Sequence, residues 1–377
     1  MYDVLIRSGR LIDGTGSPWF AGDVGVKDGR IAGIGELGET DALRTIDARN
    51  LFVAPGLIDI HTHSDLTLLI DGRACSSLAQ GITTQIVGNC GVSAAPVRNG
   101  EMYYGPLDPS MTRELKCDWS TFGEYFRRLE EEGLGTHVAA LVGHGNVRAA
   151  AVGYDDRVAT SAEMEEMKGL VEQALEEGVL GLSSGLAYAP GPYAPLEELV
   201  ELGRVVGRFG GVYTSHIRNQ TEGIDAAVEE VIAVGEGAGI TAHVSHMQPG
   251  SPMLGSTREL LKKIEGKRRQ GVDISCDAIP YTIGSTTLKS LLPPWACEGG
   301  DEALLERLRN PEVREEIKRD SMTYGAESGG SRKRNLVKEE KWELIWLGSA
   351  ENNADLAGES FAEIGKIRGQ DPHDAVL

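Results

Sequence analysis

The chain reads as an α/β protein whose main part is a (β/α) barrel of the TIM type. Three observations predict this. Seven short apolar runs, 57–63, 82–88, 138–144, 178–184, 211–216, 240–246 and 271–277, succeed one another from residue 55 onward. Helical stretches at 161–177, 195–209 and 222–237 lie between them. The 49 glycines in 377 residues recur at the ends of the runs, where strand–helix connections need tight turns. Buried strands alternating with helices argue for a parallel sheet. Seven such units in series favour a closed barrel over an open sheet.

Each element has a local reason. Residues 1–54 read as a small β unit with strands near 3–7, 22–27, 30–34 and 45–48, and Lys27-Asp28-Gly29-Arg30 is a hairpin-turn signal. The helix over 161–177 starts at Ser161 as a capping residue, with Glu165 and Glu166 in its first turns. After residue 283 the alternation fails. Residues 299–340 are strongly charged and include Gly329-Gly330 and the basic cluster Arg332-Lys333-Arg334. One apolar run follows, Trp342–Leu347, too far from the seventh run for an ordinary βα connection.

Bulk composition excludes several functions. With 57 acidic against 37 basic residues the formal charge is −20, which argues against nucleic acid or an anionic membrane as partner. No segment approaches the length needed to span a bilayer. Five scattered cysteines do not form a disulfide framework. The chain enters a strand pattern directly after Met1, with no signal-peptide core, so a cytoplasmic protein is expected.

Chemistry concentrates at the run ends. The first run ends in His61 and His63; as a strand it would carry both imidazoles on one side, about 7 Å apart. The second leads into Gly88-Asn89-Cys90-Gly91, the fifth ends in His216 and the sixth in His246. Any one of these has an ordinary explanation, because lone cysteines and histidines are commonly buried and inert. Barrel active sites, however, are built from the C-terminal strand ends, and four metal-capable ends on one rim point to a metal. A thiolate with two imidazoles suits tetrahedral zinc with an open fourth position. His144, at the end of the third run, competes for a place on that rim. His243 lies three residues from His246, so it is expected on the opposite face and is read as structural. His137 and His373 have no positional argument.

The segment Val53–His63, with the β unit before it, resembles the start of an amidohydrolase-superfamily enzyme. Gly88-Asn89-Cys90-Gly91, Ser215-His216-Ile217-Arg218, Ser245-His246 and Gly185–Gly191 resemble the D-aminoacylase branch, the N-acyl-D-amino-acid deacylases. The resemblance spans essentially the whole chain. It implies a metal-dependent (β/α)8 barrel over 55–377, an active-site-covering insertion at about 283–350, and residues 1–54 as part of a small β-sandwich. It implies tightly held zinc on Cys90, His216 and His246, with His61 and His63 on a second, weaker position sharing Cys90. The substrate it implies is a small N-acyl-D-amino acid, hydrolysed to a D-amino acid and a carboxylate, with contacts near Tyr188 and the Asp277–Tyr281 turn, Tyr281 included. Arg218 is read as a structural ion-pair partner.

The chain also departs from that branch. The fourth run, 178–185, has no lysine to bridge two metals, which counts against a hydantoinase or dihydroorotase. Gln248 stands where many members carry lysine, and Gln220 where relatives often carry glutamate. The branch places its catalytic aspartate at the end of the eighth strand. Trp342–Leu347 leads instead into Gly348-Ser349-Ala350 and is assigned to the insertion, so no catalytic residue is named. The barrel is expected to lack its eighth strand and that aspartate, leaving an open seam and poor stability.

Overall fold

The computed structural model describes residues 1–98, 102–104, 115–250, 253–323 and 336–377. The Gly329-Gly330 and Arg332-Lys333-Arg334 clusters lie outside the described residues. The chain divides into two compact units, 1–58 with 77–84, and 59–76 with 85–377.

The first unit holds β1 (Tyr2–Leu11), β2 (Phe20–Lys27), β3 (Arg30–Gly35), β4 (Ala42–Asp47) and β5 (Phe52–Val53), in one mixed sheet of order β3-β2-β1-β4 with β5 also on β1. β2 and β3 form a hairpin in which Lys27 faces Arg30. Asp28 and Gly29 both take positive φ, 52° and 70°, the backbone a two-residue turn between right-twisted strands needs. Leu5, Leu11 and Val24 are buried, while Ile31, Ile34, Leu43 and Phe52 are exposed.

The remaining strands are β6 (Leu57–Asp59), β7 (Ile82–Val87), β8 (His137–Ala140), β9 (Val142–Gly143), β10 (Gly181–Gly185), β11 (Val212–His216), β12 (Thr241–Ser245) and β13 (Ile274–Cys276). They make two sheets, β6-β7-β8 and β13-β12-β11-β10-β9, the second parallel throughout. The third apolar run is therefore one barrel strand broken at Leu141, which serves one sheet before the break and the other after it. Among the described residues no further strand joins β13 to β6. Trp342–Leu347 is a turn of 3-10 helix followed by a single bridge from Trp346 to Ser360, not a barrel strand.

The helices are α1 (Cys75–Leu78), α2 (Phe122–Glu132), α3 (His144–Ala151), α4 (Ser161–Glu176), α5 (Leu196–Arg208), α6 (Ile224–Ala238), α7 (Thr257–Arg269), α8 (Gly300–Arg309), α9 (Pro311–Thr323), α10 (Phe361–Arg368) and α11 (Pro372–Val376). The cap of α4 is Thr160, one residue before the expected Ser161. Thr160 and Glu163 form a reciprocal capping box that Ser161 cannot make with Glu165 or Glu166. In α5 the residues Leu199, Leu202, Val205 and Val206 recur at helical spacing and pack inward. They join Leu182, Tyr213, Val244 and Ile274 of the strands in one continuous core. Cutting Leu182 to alanine there would cost about 2–5 kcal/mol. No helix among the described residues is long and apolar enough to cross a membrane.

Candidate metal centre

The site is built where strands end. After β7 the chain turns through Gly88, Cys90 and Gly91, all at positive φ (79°, 56° and 74°). The turn is pressed against its neighbours: a Cβ on Gly88 would lie 2.0 Å from the Leu141 carbonyl oxygen, and one on Gly91 2.4 Å from the Gly185 nitrogen. Ser183 of β10 clamps it, its hydroxyl donating to the Gly88 carbonyl (2.5 Å) and accepting the Gly91 N–H (3.0 Å). Asn89 donates to the Ile86 carbonyl at 2.9 Å. Cys90 thus sits buried on a left-handed backbone, a strain of order 1–3 kcal/mol that such contacts must hold. His246, just beyond β12, is the other non-glycine at positive φ here (35°).

Imidazoles surround the Cys90 sulfur. His61 Nε2 lies 3.2 Å from Sγ and His246 Nε2 3.5 Å. One ligand atom from each of His61, Cys90 and His246 falls within 4.8 Å of the others. The His216 ring centroid is 4.3 Å from that of His246 and the His63 centroid 5.6 Å from that of His61. Both further imidazoles lie close enough to interact electrostatically with the thiolate. All five residues anticipated as ligands therefore come together. His61 and His63 do so from beyond the strand, since β6 stops at Asp59, whose carboxylate accepts the His61 N–H at 3.1 Å.

Electrostatics separate the roles. Burial alone would raise the Cys90 thiol, but His246, His63 and His216 bring it well below its ordinary value, so it is a thiolate. Burial and the neighbouring His246 push His216 down to about 4, leaving a neutral imidazole ready to ligate. His61 moves the other way: against burial, Asp277 and the Cys90 thiolate draw it up to about 10. His63, open to solvent on one side, is likewise raised by the thiolate against the effect of its dense surroundings. One buried anion among polarised imidazoles calls for a cation. Zinc bonds of about 2.05 Å to nitrogen and 2.3 Å to sulfur at tetrahedral angles give N···S edges of about 3.5 Å, close to those seen here. The residues fit the metal.

Asp277 follows β13 directly. One carboxylate oxygen is 2.9 Å from His61 Nδ1 and 3.2 Å from His243 Nε2, and the other accepts the His246 backbone N–H. Burial would raise its carboxyl, but His243 and His61 hold it far below the usual range. His243 meets Asp277 through its ring, and His246 meets it through its backbone N–H only. Gln220, buried, places its amide nitrogen 2.9 Å from His246 Nδ1 and 2.9 Å from the His246 carbonyl oxygen. Asp277 could have been flagged, because it too ends an apolar run. Nothing local marks Ser183 or Gln220.

The other candidates sort as follows. The Tyr188 ring lies 4.7 Å from His216, at the edge of the cluster. Tyr281 stands 75% exposed on the loop after β13. His144 is buried away from the metal cluster, 2.8 Å from Glu198 Oε1. Arg218 pairs with Glu230 at 2.9 Å and donates to the carbonyls of Pro192 and Ala194. Gln248 donates to the Ile279 carbonyl at 2.6 Å. Asp65 is buried, its carboxyl pushed up to about 6 by burial against the pull of His63. His373 packs on Trp342, and His137 is exposed at the start of β8.

Comparison with known proteins follows the same lines. The Amidohydrolase family (Amidohydro_3) profile matches residues 44–299. A D-aminoacylase of Alcaligenes xylosoxydans xylosoxydans is 37% identical over 289 residues, 76% of this chain and 59% of that protein. An N-acyl-D-glutamate deacylase of the same organism is 39% identical over 292 residues, 76% of this chain and 58% of that protein. This chain thus spans less than two thirds of the length of these relatives. The crystal structure of N-acyl-D-glutamate deacylase from Bordetella bronchiseptica, complexed with zinc and a phosphonate inhibitor, superposes on 100% of this chain and 69% of its own, with TM-score 0.80 and 35% identity. Seven barrel strands, a thiolate among histidines at their ends and a family match over most of the sequence lead to one conclusion: this chain belongs to the amidohydrolase family.

Proposed function

We propose that the chain carries the zinc site of an N-acyl-D-amino-acid deacylase, which hydrolyses a linear amide to a D-amino acid and a carboxylate. The observation that carries this reading is the buried Cys90 thiolate ringed by His61, His63, His216 and His246. Similarity to a D-aminoacylase and an N-acyl-D-glutamate deacylase, and to a zinc-bound deacylase structure, supports it. Zinc held there would acidify a bound water and polarise the amide carbonyl.

The chain's own residues do the rest. Cys90 and the neutral His216 present electron pairs to the metal, while Ser183 holds the cysteine turn in place. Tyr188, beside His216, offers a hydroxyl and a ring edge to a substrate at the cluster; burial raises that phenol, so it stays protonated and can donate. Tyr281 is proposed as a second substrate contact from its exposed loop. Asp277 is a poor proton carrier, because its oxygens are committed to His61, His243 and the His246 N–H. The five cysteines are all free, and with the charge of −20 this favours a reducing, cytoplasmic setting and no nucleic-acid partner.

A second reading is a metal-binding chain that performs no hydrolysis. It is favoured by one observation: Asp277, the carboxylate at the cluster, has its oxygens taken up by His61, His243 and the His246 N–H. One experiment separates the two. Zinc-loaded protein is incubated with N-acetyl-D-methionine and N-acetyl-L-methionine and free amine is measured, with Cys90→Ala as control. Release from the D-isomer alone, abolished by Cys90→Ala, supports the deacylase. Full zinc with no release supports the second reading, and less than about half an equivalent of zinc defeats both, since three good ligands retain metal.

A further inference from the structure

We propose that Asp277 is a positioning residue that couples the two arms of the metal cluster, orienting His61 through one carboxylate oxygen and the His246 backbone through the other. The inference rests on the reading of the cluster as a metal site.

The geometry is specific. His61 Nδ1 faces one oxygen at 2.9 Å while its Nε2 faces the Cys90 sulfur at 3.2 Å. An imidazole can ligate through Nε2 only if its remaining proton sits on Nδ1, and an acceptor there fixes that tautomer. The same oxygen lies 3.2 Å from His243 Nε2, whose other ring nitrogen is 2.8 Å from Ser275 Oγ. A serine hydroxyl donating to Nδ1 leaves the Nε2 side of the His243 ring against Asp277, where it packs on the carboxylate without an aligned hydrogen bond. The second oxygen accepts the backbone N–H of His246, the residue held at a φ of 35°. That contact fixes how His246 leaves β12, and hence where its ring meets Cys90. One side chain therefore sets the tautomer of one ligand and the backbone of another, across 216 residues of sequence in the first case.

Asparagine separates this role from a merely structural one. It has a single acceptor oxygen, so it can serve the His246 N–H or His61 Nδ1, not both. If Asp277 acts on the metal through His61, Asp277→Asn weakens zinc binding about 10–100-fold, the range for a group behind a metal ligand. In a His61→Ala background the same substitution changes zinc affinity less than about threefold, because the remaining oxygen still holds His246. Affinities are read by chelator competition on the full chain, with circular dichroism of each variant in parallel. Unchanged affinity in Asp277→Asn overturns the proposal, as does an equal loss in both backgrounds. Wild type that takes up no zinc overturns the metal reading itself, and is recognised because no substitution then matters. Should Asp277→Asn fail to fold, wild type alone decides. Nitrogen-15 histidine spectra of the metal-free protein are expected to show a slowly exchanging, downfield Nδ1 proton on His61, identified by its loss in His61→Ala. Its absence overturns the proposal.

Discussion

Two buried polar centres of the barrel invite comparison. One is the Cys90 cluster. The other is the trio of His144, Arg148 and Glu198, each at most 1% exposed. Both are built around a single anion and both contain histidine, but they differ in how the charge is met. Glu198 takes His144 Nε2 on one oxygen (2.8 Å) and Arg148 on the other, while a second Arg148 nitrogen donates to the Arg157 carbonyl at 2.5 Å. That carboxylate is satisfied from within the chain. The Cys90 thiolate has four imidazoles, of which His61 and His63 are drawn toward the charged form, and no arginine or lysine partner among the described residues. A histidine locked to a carboxylate that an arginine also holds suits a structural role, whereas several imidazoles converging on one thiolate suit the proposed metal site.

The sharpest way to break the comparison is at Glu198. Glu198→Ala leaves Arg148 buried without its partner and is expected to destabilise the chain by about 3–5 kcal/mol, read as a lowered midpoint in urea, with zinc stoichiometry unchanged in the folded fraction. Burial pushes the Glu198 carboxyl up, but His144 and Arg148 hold it below the ordinary 4.5. A depressed folded pKa gives stability that is complete above the unfolded value and lost as pH falls through the folded one. The gap between wild type and Glu198→Ala should therefore be constant from pH 7 to about 5 and close in more acidic solution. A gap that widens on acidification would refute the assignment.

Cys90→Ala is the counterpart at the other centre. It removes the ligand shared by every imidazole, so zinc affinity should fall more than the roughly 100-fold ceiling for a group behind the ligands. Melting of the metal-free protein should fall little or rise, because the substitution also removes a buried charge. A large loss of metal-free stability with zinc retained would make Cys90 a structural residue.

A smaller effect is expected at Gln220, which touches the metal site only through His246. Gln220→Leu should weaken zinc binding about tenfold, the lower end for outer contacts, measured by the same competition. Gln220→Glu would set a carboxylate oxygen against the His246 carbonyl as well as Nδ1, and should weaken binding too.

What the sequence makes legible at these centres follows from range. Cys90, His216 and His246 could be picked out because barrel chemistry collects at strand ends, and a strand end is visible in a few residues. The same rule marks Asp277, which ends the seventh run. His144 satisfies the rule too, yet its partner Glu198 lies 54 residues away on α5, so only the fold separates a locked histidine from a ligand. The cap of α4 shifted by one residue because a capping box depends on the partner three residues on, and Glu163 serves Thr160. The break of the third strand at Leu141 has no local signal, since 138–144 reads as one apolar run. Ser183 looks like any small residue in a buried strand; its role comes from the turn of another strand, 92 residues from it at Gly91.

The smallest effect is expected on the open arm of the cluster. His63 stands solvent-exposed, and its ring is 5.6 Å from that of His61, while His61, Cys90 and His246 already supply three converging ligand atoms. Removing His63 leaves that trio and the neutral His216 intact. His63→Ala should therefore lower affinity for the first equivalent of zinc by less than about threefold, below the effect of a group behind the ligands such as Gln220. A cobalt(II) titration followed through the thiolate charge-transfer band checks this, because the band reports metal bonded to Cys90 whichever imidazoles complete the site. If the first equivalent no longer produces the band in His63→Ala, the open arm holds the metal and the buried arm supports it, reversing the order that burial and charge assign.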